Sequence, residues 1–203
     1  SVTPKMIMVK RTSGVADWMV YHASNTSAPE TEFLELNTTD ATSDNTRWND
    51  TAPTTSVFSV GTDDAVNGDA ETYLAFVFAD VQGYSKFGKY VGNGNASGPF
   101  VYTGFKPAFV MVKCASAAAS EWQIYDHKRP GYNFPNYNLS PNNTTAEYTG
   151  ESYHNMDILS NGFRVLLTDV AVNKSGETYT YMAFAEHPFV TSTDTNSIPT
   201  TAR

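Results

Sequence analysis

Oxygen-bearing side chains are concentrated in segment 63–71, a pattern suited to cation binding. The segment contains four carboxylates and one amide: Asp63, Asp64, Asp69, Glu71 and Asn67. Calcium takes several such oxygens from a loop that folds back on itself, so the four carboxylates are calcium candidates. Their spacing differs from that of an EF-hand, and a hairpin connection rich in turn-forming residues explains the composition more simply. We predict no bound metal or other cofactor, and keep these carboxylates as the candidates for calcium.

Aromatic side chains outside the repeated segments are the candidates for ligand binding. Trp48 has no counterpart in the second half of the chain, and Tyr132, Phe134 and Tyr137 share one loop. Exposed aromatic rings stack on the apolar faces of sugars, and binding residues gather in variable loops. If the chain binds a glycan, these four residues are the predicted platform.

Catalytic chemistry has little support in the sequence. The chain has one cysteine, Cys114, and contains no HExxH, CxxC or GxSxG motif. His22 follows Tyr21, whereas the matching position after Tyr125 holds Asp126. Any polar group therefore satisfies this position, which indicates a hydrogen bond at the end of a strand rather than catalysis. We predict that the protein is not an enzyme.

One pattern occurs twice, about a hundred residues apart, and must position these side chains. Residues 4–10 read PKMIMVK and residues 107–113 read PAFVMVK. Segment 71–79 returns as 177–185, and each copy opens with Glu-Thr-Tyr. Further matched pairs are Trp18 and Trp122, and Asn67 and Asn173. Large aromatics at repeated strand positions favour a place in the core.

The segments between turn signals are short, and none shows sustained helical periodicity. The sequence therefore predicts an all-β protein with two tandem homologous antiparallel β-sandwich units, jelly-roll-like in topology. The predicted divisions are a first unit, a Gly- and Asn-rich connector, a second unit and a polar C-terminal tail, at 1–92, 93–106, 107–190 and 191–203.

The repeated pattern also predicts where individual strands lie within the sheets. Segments 71–79 and 177–185 are apolar on both faces, so we expect central strands that are covered on two sides. Segment 84–90 carries aromatics and two lysines, which is typical of an edge strand or strap. Segment 163–166 follows an Asn-Gly turn signal, and 57–60 is its expected counterpart in the first unit.

Composition restricts the class of partner. The net charge is −8 and the 13 lysines and arginines are scattered, which argues against nucleic-acid binding. No apolar stretch has the length of a transmembrane helix, so no membrane partner is predicted. Only 17 % of residues are charged, so Thr, Ser, Asn and Gly must cover the surface, as in β-rich extracellular and virion proteins. Since the chain starts at Ser1 without a signal peptide, we expect a processed product or the C-terminal part of a longer polypeptide.

Five short motifs carry a resemblance to a known group of proteins. They are Pro-x-x-Val-Met-Val-Lys, Trp-x-Ile-Tyr-Asp, Asn-Thr-Thr-Ala-Glu, Asn-Gly-Phe and Gly-Glu-Thr-Tyr-x-Tyr-Met-Ala-Phe-Ala. The pattern over 4–189 resembles an uncharacterised module in virion proteins of marine tailed bacteriophages, often C-terminal to a concanavalin-like (laminin-G-type) domain. The first unit departs from it at His22 and lacks Asn-Gly-Phe before Val57. The resemblance implies a virion setting and carries over no catalytic residue.

These observations predict a non-enzymatic structural protein of a tailed-bacteriophage virion, located on the extracellular particle. Capsid decoration or head fibre, and tail-fibre or tail-spike module, stay open as placements. The expected partners are further copies of the chain, because virion parts sit on symmetric particles, and other virion proteins. The alternative is a lectin-like adhesion module that binds host surface glycans through Trp48 or the 132–137 loop. A depolymerase of host polysaccharide is a third hypothesis.

Overall fold

The computed structural model describes residues 2–129, 137–149 and 155–186, and most regular structure within them is strand. The strands are β1 (Met6–Arg11), β2 (Met19–His22), β3 (Glu32–Glu35), β4 (Ser43–Asp44), β5 (Tyr73–Phe78), β6 (Ser85–Val91), β7 (Ser97–Tyr102), β8 (Pro107–Cys114), β9 (Gln123–Asp126), β10 (Tyr137–Asn138), β11 (Tyr148–Thr149), β12 (Met156–Leu159), β13 (Gly162–Leu166) and β14 (Thr178–Ala185). The helical elements in this part of the chain are α1 (Asp64–Asn67) and 3₁₀ turns at Pro29–Thr31 and Thr46–Trp48. None of these is long and apolar enough to cross a bilayer.

The strands form antiparallel sheets that pack face to face, so the predicted all-β sandwich is confirmed. The first sheet has the order β4-β3-β2-β1-β5, the second β6-β14-β8-β9 and the third β12-β13-β7. Strands β10 and β11 form a separate pair. In β1 and β8 the apolar runs are buried along most of their length because each lies inside its sheet with a strand on either side.

The second sheet is the middle layer of the fold. One of its faces packs against the third sheet, where Val110, Val112 and Tyr181 meet Val101 and Phe163. Its other face packs against the first sheet through a cluster of eight buried residues: Met6, Met8, Val20, Leu34, Phe87, Met111, Trp122 and Met182. The second sheet is therefore covered on both faces, which explains its nearly continuous apolar strands.

The first and second sheets pack with their strands crossing. His22, at one end of β2, donates a hydrogen bond from Nε2 to Tyr181 O at 3.0 Å and lies 6.4 Å from the ring of Phe87 on β6. Trp122, just before β9, donates from Nε1 to Glu35 O at 2.9 Å. Glu35 lies beside the other end of β2, so opposite edges of the second sheet contact opposite ends of the first sheet's strands.

The outer face of the first sheet is covered by irregular structure rather than by a sheet. Ile7, Met19 and Tyr21 pack against Trp48 of the second 3₁₀ turn and Val66 of α1. Segment 57–60, predicted as the counterpart of β13, forms no strand, so that prediction was wrong. An apolar segment can cover a sheet without pairing, and its sequence pattern alone does not separate the two cases.

Two strands near the predicted boundary at residue 92 pair with strands from the second half of the chain. Strand β6 pairs with β14, and β7 pairs with β13. Residues 85–91 and 97–102, assigned to the first unit and the connector, therefore belong to the second and third sheets. The prediction that 84–90 is an edge strand is confirmed, because β6 is the outermost strand of the second sheet.

The two segments predicted as central strands have different environments. Strand β14 lies between β6 and β8, as expected. Strand β5 lies at the edge of the first sheet, where Leu74, Phe76 and Val77 are 47 %, 40 % and 49 % exposed. The prediction of a covered central strand was wrong for β5. No described strand occupies the place that β6 takes beside β14, so β5 is an edge strand.

A tyrosine closes the turn before β5. Asp63 caps α1 by accepting from Ala65 N at 2.8 Å. Tyr73 Oη donates to Asp64 O and accepts from Gly68 N, both at 2.6 Å. The hydroxyl thus bonds both a carbonyl and an amide of the turn, which fixes the approach of the chain to β5.

The turn before β14 has the same bonds at the matched positions. Asp169 accepts from Ala171 N at 2.7 Å. Tyr179 Oη donates to Val170 O and accepts from Lys174 N, both at 2.8 Å. The shared bonds explain why the Tyr recurs in the sequence, and they favour a duplicated unit, although tandem homologous units stay a prediction.

Replacement of these tyrosines by phenylalanine tests their structural role. Tyr179 is fully buried and its pKa is raised by burial, and Tyr179→Phe removes the two hydrogen bonds of its hydroxyl to Val170 O and Lys174 N. We expect a loss of about 1–3 kcal/mol in the free energy of unfolding, measured by urea denaturation. Tyr73→Phe should cost less because Tyr73 is half-buried, and Tyr102→Phe, at a side chain 64 % exposed, should cost nothing measurable. Equal effects at all three positions would contradict this role.

Candidate functional site

The four calcium candidates are divided between two local structures. Asp63 caps α1 and lies 3.6 Å from Arg47 Nε. Glu71 accepts a hydrogen bond from Ser13 Oγ and lies 3.9 Å from Arg11 Nη1. Asp64 and Asp69 are exposed. Among the described residues no group of three or more His, Cys, Asp or Glu side chains is placed to hold a metal ion, so these candidate carboxylates do not converge on a common point.

Trp48 is a core residue, which corrects its prediction as a ligand platform. Its side chain is 1 % exposed, and Nε1 donates to Glu32 O at 3.0 Å. The ring meets Tyr21 edge-on, with centroids 5.9 Å apart. Trp48 has no repeated counterpart because it covers the outer face of the first sheet, a task that the third sheet performs in the second half.

Substitution of Trp48 should therefore change stability rather than ligand binding. Trp48→Ala removes a fully buried indole, and we expect a loss of about 3–5 kcal/mol in the free energy of unfolding, measured by urea denaturation. Val57→Ala, at a side chain 63 % exposed, is the control and should be neutral. Unchanged stability of the Trp48→Ala protein would contradict the core position of Trp48 and would indicate a surface residue.

Of the remaining candidate aromatics, Tyr137 lies within the described residues. Tyr137 opens β10 and is half-buried. Tyr132 and Phe134 lie outside the described residues, so the predicted glycan platform keeps one described member. Tyr137 pairs with Thr149 of β11.

His22 is buried with both ring nitrogens engaged. Nε2 lies 3.0 Å from Tyr181 O, and Nδ1 accepts from Ser24 N at 3.2 Å. The ring must donate at one nitrogen and accept at the other, which is the neutral tautomer. Burial lowers the pKa of His22 to about 4, opposed by the hydrogen bond to Tyr181 and by the charge of Asp80. His22 therefore joins the first sheet to the second, as the strand-end hydrogen bond predicted from sequence.

The depressed pKa of His22 makes stability depend on pH. The unfolded state binds a proton near pH 6.5, whereas the folded state resists protonation down to about pH 4, so stability falls as pH falls through this window. The full difference corresponds to about 3 kcal/mol. His22→Gln keeps an amide donor and does not titrate. Urea midpoints measured from pH 7 to 4 should fall more steeply for the wild type, and parallel curves would contradict this assignment.

Two polar contacts between the first and second sheets were missed by the sequence analysis. Lys113 Nζ donates to Thr39 O at 3.2 Å and to Ser120 O at 2.5 Å, and burial lowers its pKa to about 8. Trp122 Nε1 donates to Glu35 O at 2.9 Å. Both residues were recognised as repeated, and Trp122 was expected in the core. Thr39 and Glu35 lie in the first half of the chain, and no local sequence signal identifies such distant partners.

The exposed feature that remains is an apolar surface along β5, here named the edge patch: Leu74, Phe76, Val77, Val81 and Tyr84. All five side chains are between 38 % and 49 % exposed. Trp18 stacks on Phe76 with ring centroids 6.2 Å apart, so the patch continues onto the sheet face. Phe78, Ala79 and Phe184 line a shallow depression at its far end. Exposed apolar side chains along an unpaired strand edge are typical of surfaces that bind another β-strand.

Comparison with known proteins identifies a family. Residues 1–188 match the family model described as a domain of unknown function, DUF7483. The chain belongs to this family. No curated protein and no solved structure matches it. Family membership covers the three sheets and the edge patch, and its description assigns neither an activity nor a ligand.

Proposed function

We propose that this member of the DUF7483 family is a non-enzymatic structural protein of a tailed-bacteriophage virion. It decorates the capsid as a surface protein or head fibre, or it forms a module of a tail fibre. It acts by assembling with further copies of itself and with other virion proteins, and by presenting polar loops on the extracellular particle. The resemblance of its repeated motifs to phage virion modules supports the setting.

The observation that carries the non-enzymatic part is the structural use of the repeated polar residues. Ser13 Oγ donates to Glu71 and accepts from Thr72 N at 3.0 Å, which ties the end of β1 to the start of β5. These residues join two strand ends. A carboxylate used in this way has its oxygens directed at strand-end donors rather than at a substrate.

The second half uses its matched residues in the same way. Ser116 Oγ donates to Glu177 at 2.7 Å and accepts from Thr178 N at 2.7 Å. The hydrogen bond from Ser116 and the neighbouring Lys174 lower the pKa of Glu177, so this exposed carboxylate stays ionised. A general acid needs a raised pKa, and the shift at Glu177 has the opposite direction. The repeated Glu thus supports a structural role.

Surface composition and the edge patch support self-assembly. The charged fraction of 17 % leaves few long flexible side chains to be ordered when copies associate. The net charge of −8 opposes indiscriminate association. A directional contact must therefore overcome this repulsion, and the edge patch provides an apolar surface with unpaired backbone groups.

Purified particles test the virion setting. An antibody raised against the folded chain should label intact particles of a phage that encodes it, seen by negative-stain electron microscopy with gold. Labelled positions on the head or the tail would distinguish decoration from a fibre module. Particles of a phage without the gene are the control and should stay unlabelled. If density-purified particles lack the chain by peptide mass spectrometry while the infected-cell extract contains it, the proposal fails.

A further inference from the structure

Strand β5 is the edge strand that lacks any feature opposed to pairing, among the edges of the described sheets. Native proteins protect open edges with charged residues, proline or short strands. The other edges have such features: Lys86 and Lys89 on β6, Pro99 in β7, Asp157 in β12 and the two-residue length of β4. On the outer side of β9, Ile124 and Leu139 exchange backbone hydrogen bonds. The β5 sequence YLAFVF contains neither charge nor proline.

The backbone of β5 has donors and acceptors directed away from the sheet. Thr12 N donates to Thr72 O at 2.8 Å, and the register continues with Arg11 opposite Tyr73. Because hydrogen-bonded and non-bonded pairs alternate in an antiparallel ladder, Leu74 and Phe76 bond to β1. The N–H and C=O groups of the alternate residues point to the open side: Tyr73, Ala75 and Val77.

The matched strand β14 shows what fits on this side. Tyr179 corresponds to Tyr73 in its turn bonds, and β14 pairs with antiparallel β6 from Thr178 to Phe184 on the side that is open in β5. Gly92 N donates to Glu177 O at 2.9 Å, which sets the same alternation in β14. The chain therefore fills this position with an antiparallel strand in one half and leaves it open in the other.

We propose that the open side of β5 binds β5 of a second copy of the chain, antiparallel, across a two-fold axis. In the register centred on Ala75, Leu74 of one copy lies opposite Phe76 of the other on one face. Tyr73 then lies opposite Val77 on the other face, so apolar side chains meet on both faces. The pairing joins two five-stranded sheets into one continuous sheet. This inference rests on the self-assembly part of the proposed function and identifies its surface.

Charge at the two ends of β5 is compatible with this pairing. The Tyr73 end carries the ion pair between Arg11 and Glu71, and the Phe78 end carries the pair between Lys86 and Asp80. An antiparallel arrangement brings the first end of one copy beside the second end of the other. At each end of the contact, the Arg11–Glu71 ion pair of one copy therefore lies beside the Lys86–Asp80 ion pair of the other. Each ion pair is neutral, so the net charge of the chain is not concentrated at the contact.

A charge on the open side tests the contact in solution. Sedimentation equilibrium over a concentration series should show a monomer–dimer equilibrium for the wild type. In a dimer of the Val77→Lys variant, both copies place a lysine charge at the paired edge. We therefore expect the dimer Kd of this variant to rise by about tenfold or more. Val57→Lys is the matched control, because Val57 is 63 % exposed and outside every strand. Its dimer Kd should equal that of the wild type.

A cysteine at the two-fold axis tests the register. Two Cα atoms in a hydrogen-bonded antiparallel pair are about 5.5 Å apart, within the range of a disulfide. Ala75→Cys should therefore form a disulfide-linked dimer under mild oxidation, and Val57→Cys should not. The native Cys114 is fully buried and does not compete. Circular dichroism compared with the wild type shows that each variant is folded.

The outcomes separate this inference from the proposed function. If the wild type associates while Val77→Lys associates equally and Ala75→Cys stays uncrosslinked, assembly uses another surface and the β5 contact is refuted. If the wild type is a monomer in which hydrogen exchange shows protected amides at Ala75 and Val77, a strand of the same chain covers the edge, and the contact is also refuted. A monomer with unprotected amides refutes both the contact and unaided self-assembly. Labelling of particles tests the virion setting separately.

Discussion

The apolar layer between the first and second sheets is the contact on which the rest of the structure depends. Residues at matched positions of the repeat meet each other there: Phe78 and Phe184, with ring centroids 6.1 Å apart, are one such pair. Met6, Met8 and Met111 add side chains that adapt their shape to irregular gaps. Contacts between equivalent positions are what an isologous interface has, here within one chain. The first and second sheets bury one apolar face of each other, and the second face of each sheet must be covered by other parts of the chain.

The two remaining faces are covered in different ways, and this difference explains the unmatched residues. In the second half, β12, β13 and β7 form a sheet that supplies aromatic and branched side chains such as Phe163 and Val165. In the first half a 3₁₀ turn and α1 supply Trp48 and Val66 instead. Residues that bear on the shared layer therefore recur in the sequence, and residues that bear on the outer covers do not. Trp48 therefore lacks a repeated counterpart because the outer face of the first sheet is covered differently, and not because Trp48 forms a ligand site.

The sequence predicted what depends on local pattern and missed what depends on pairing partners. Alternation and β-branched content identified β1, β8, β13 and β14, because side-chain direction follows the strand period. The same pattern in 71–79 predicted that β5 is a central strand. Only the presence of a neighbouring strand decides whether a strand is central. Residues 85–91 looked local to the first unit, yet their partner is β14, almost a hundred residues away. The predicted sites rested on residue type alone, so the carboxylates did not converge and Trp48 is a core residue. The edge patch became visible only from strand order.

An open, uncharged edge is a liability that a soluble protein keeps only if something covers it in use. The chain shows elsewhere that it uses the available protection, since β6 has two lysines and β7 a proline. Its negative charge makes copies of the chain repel each other. Screening in physiological salt limits this repulsion to separations of about 8 Å. Pairing at β5 acts at contact distance and through backbone geometry, so it selects one orientation among many. Broad repulsion combined with one directional strand contact is the arrangement that builds an ordered assembly rather than an aggregate.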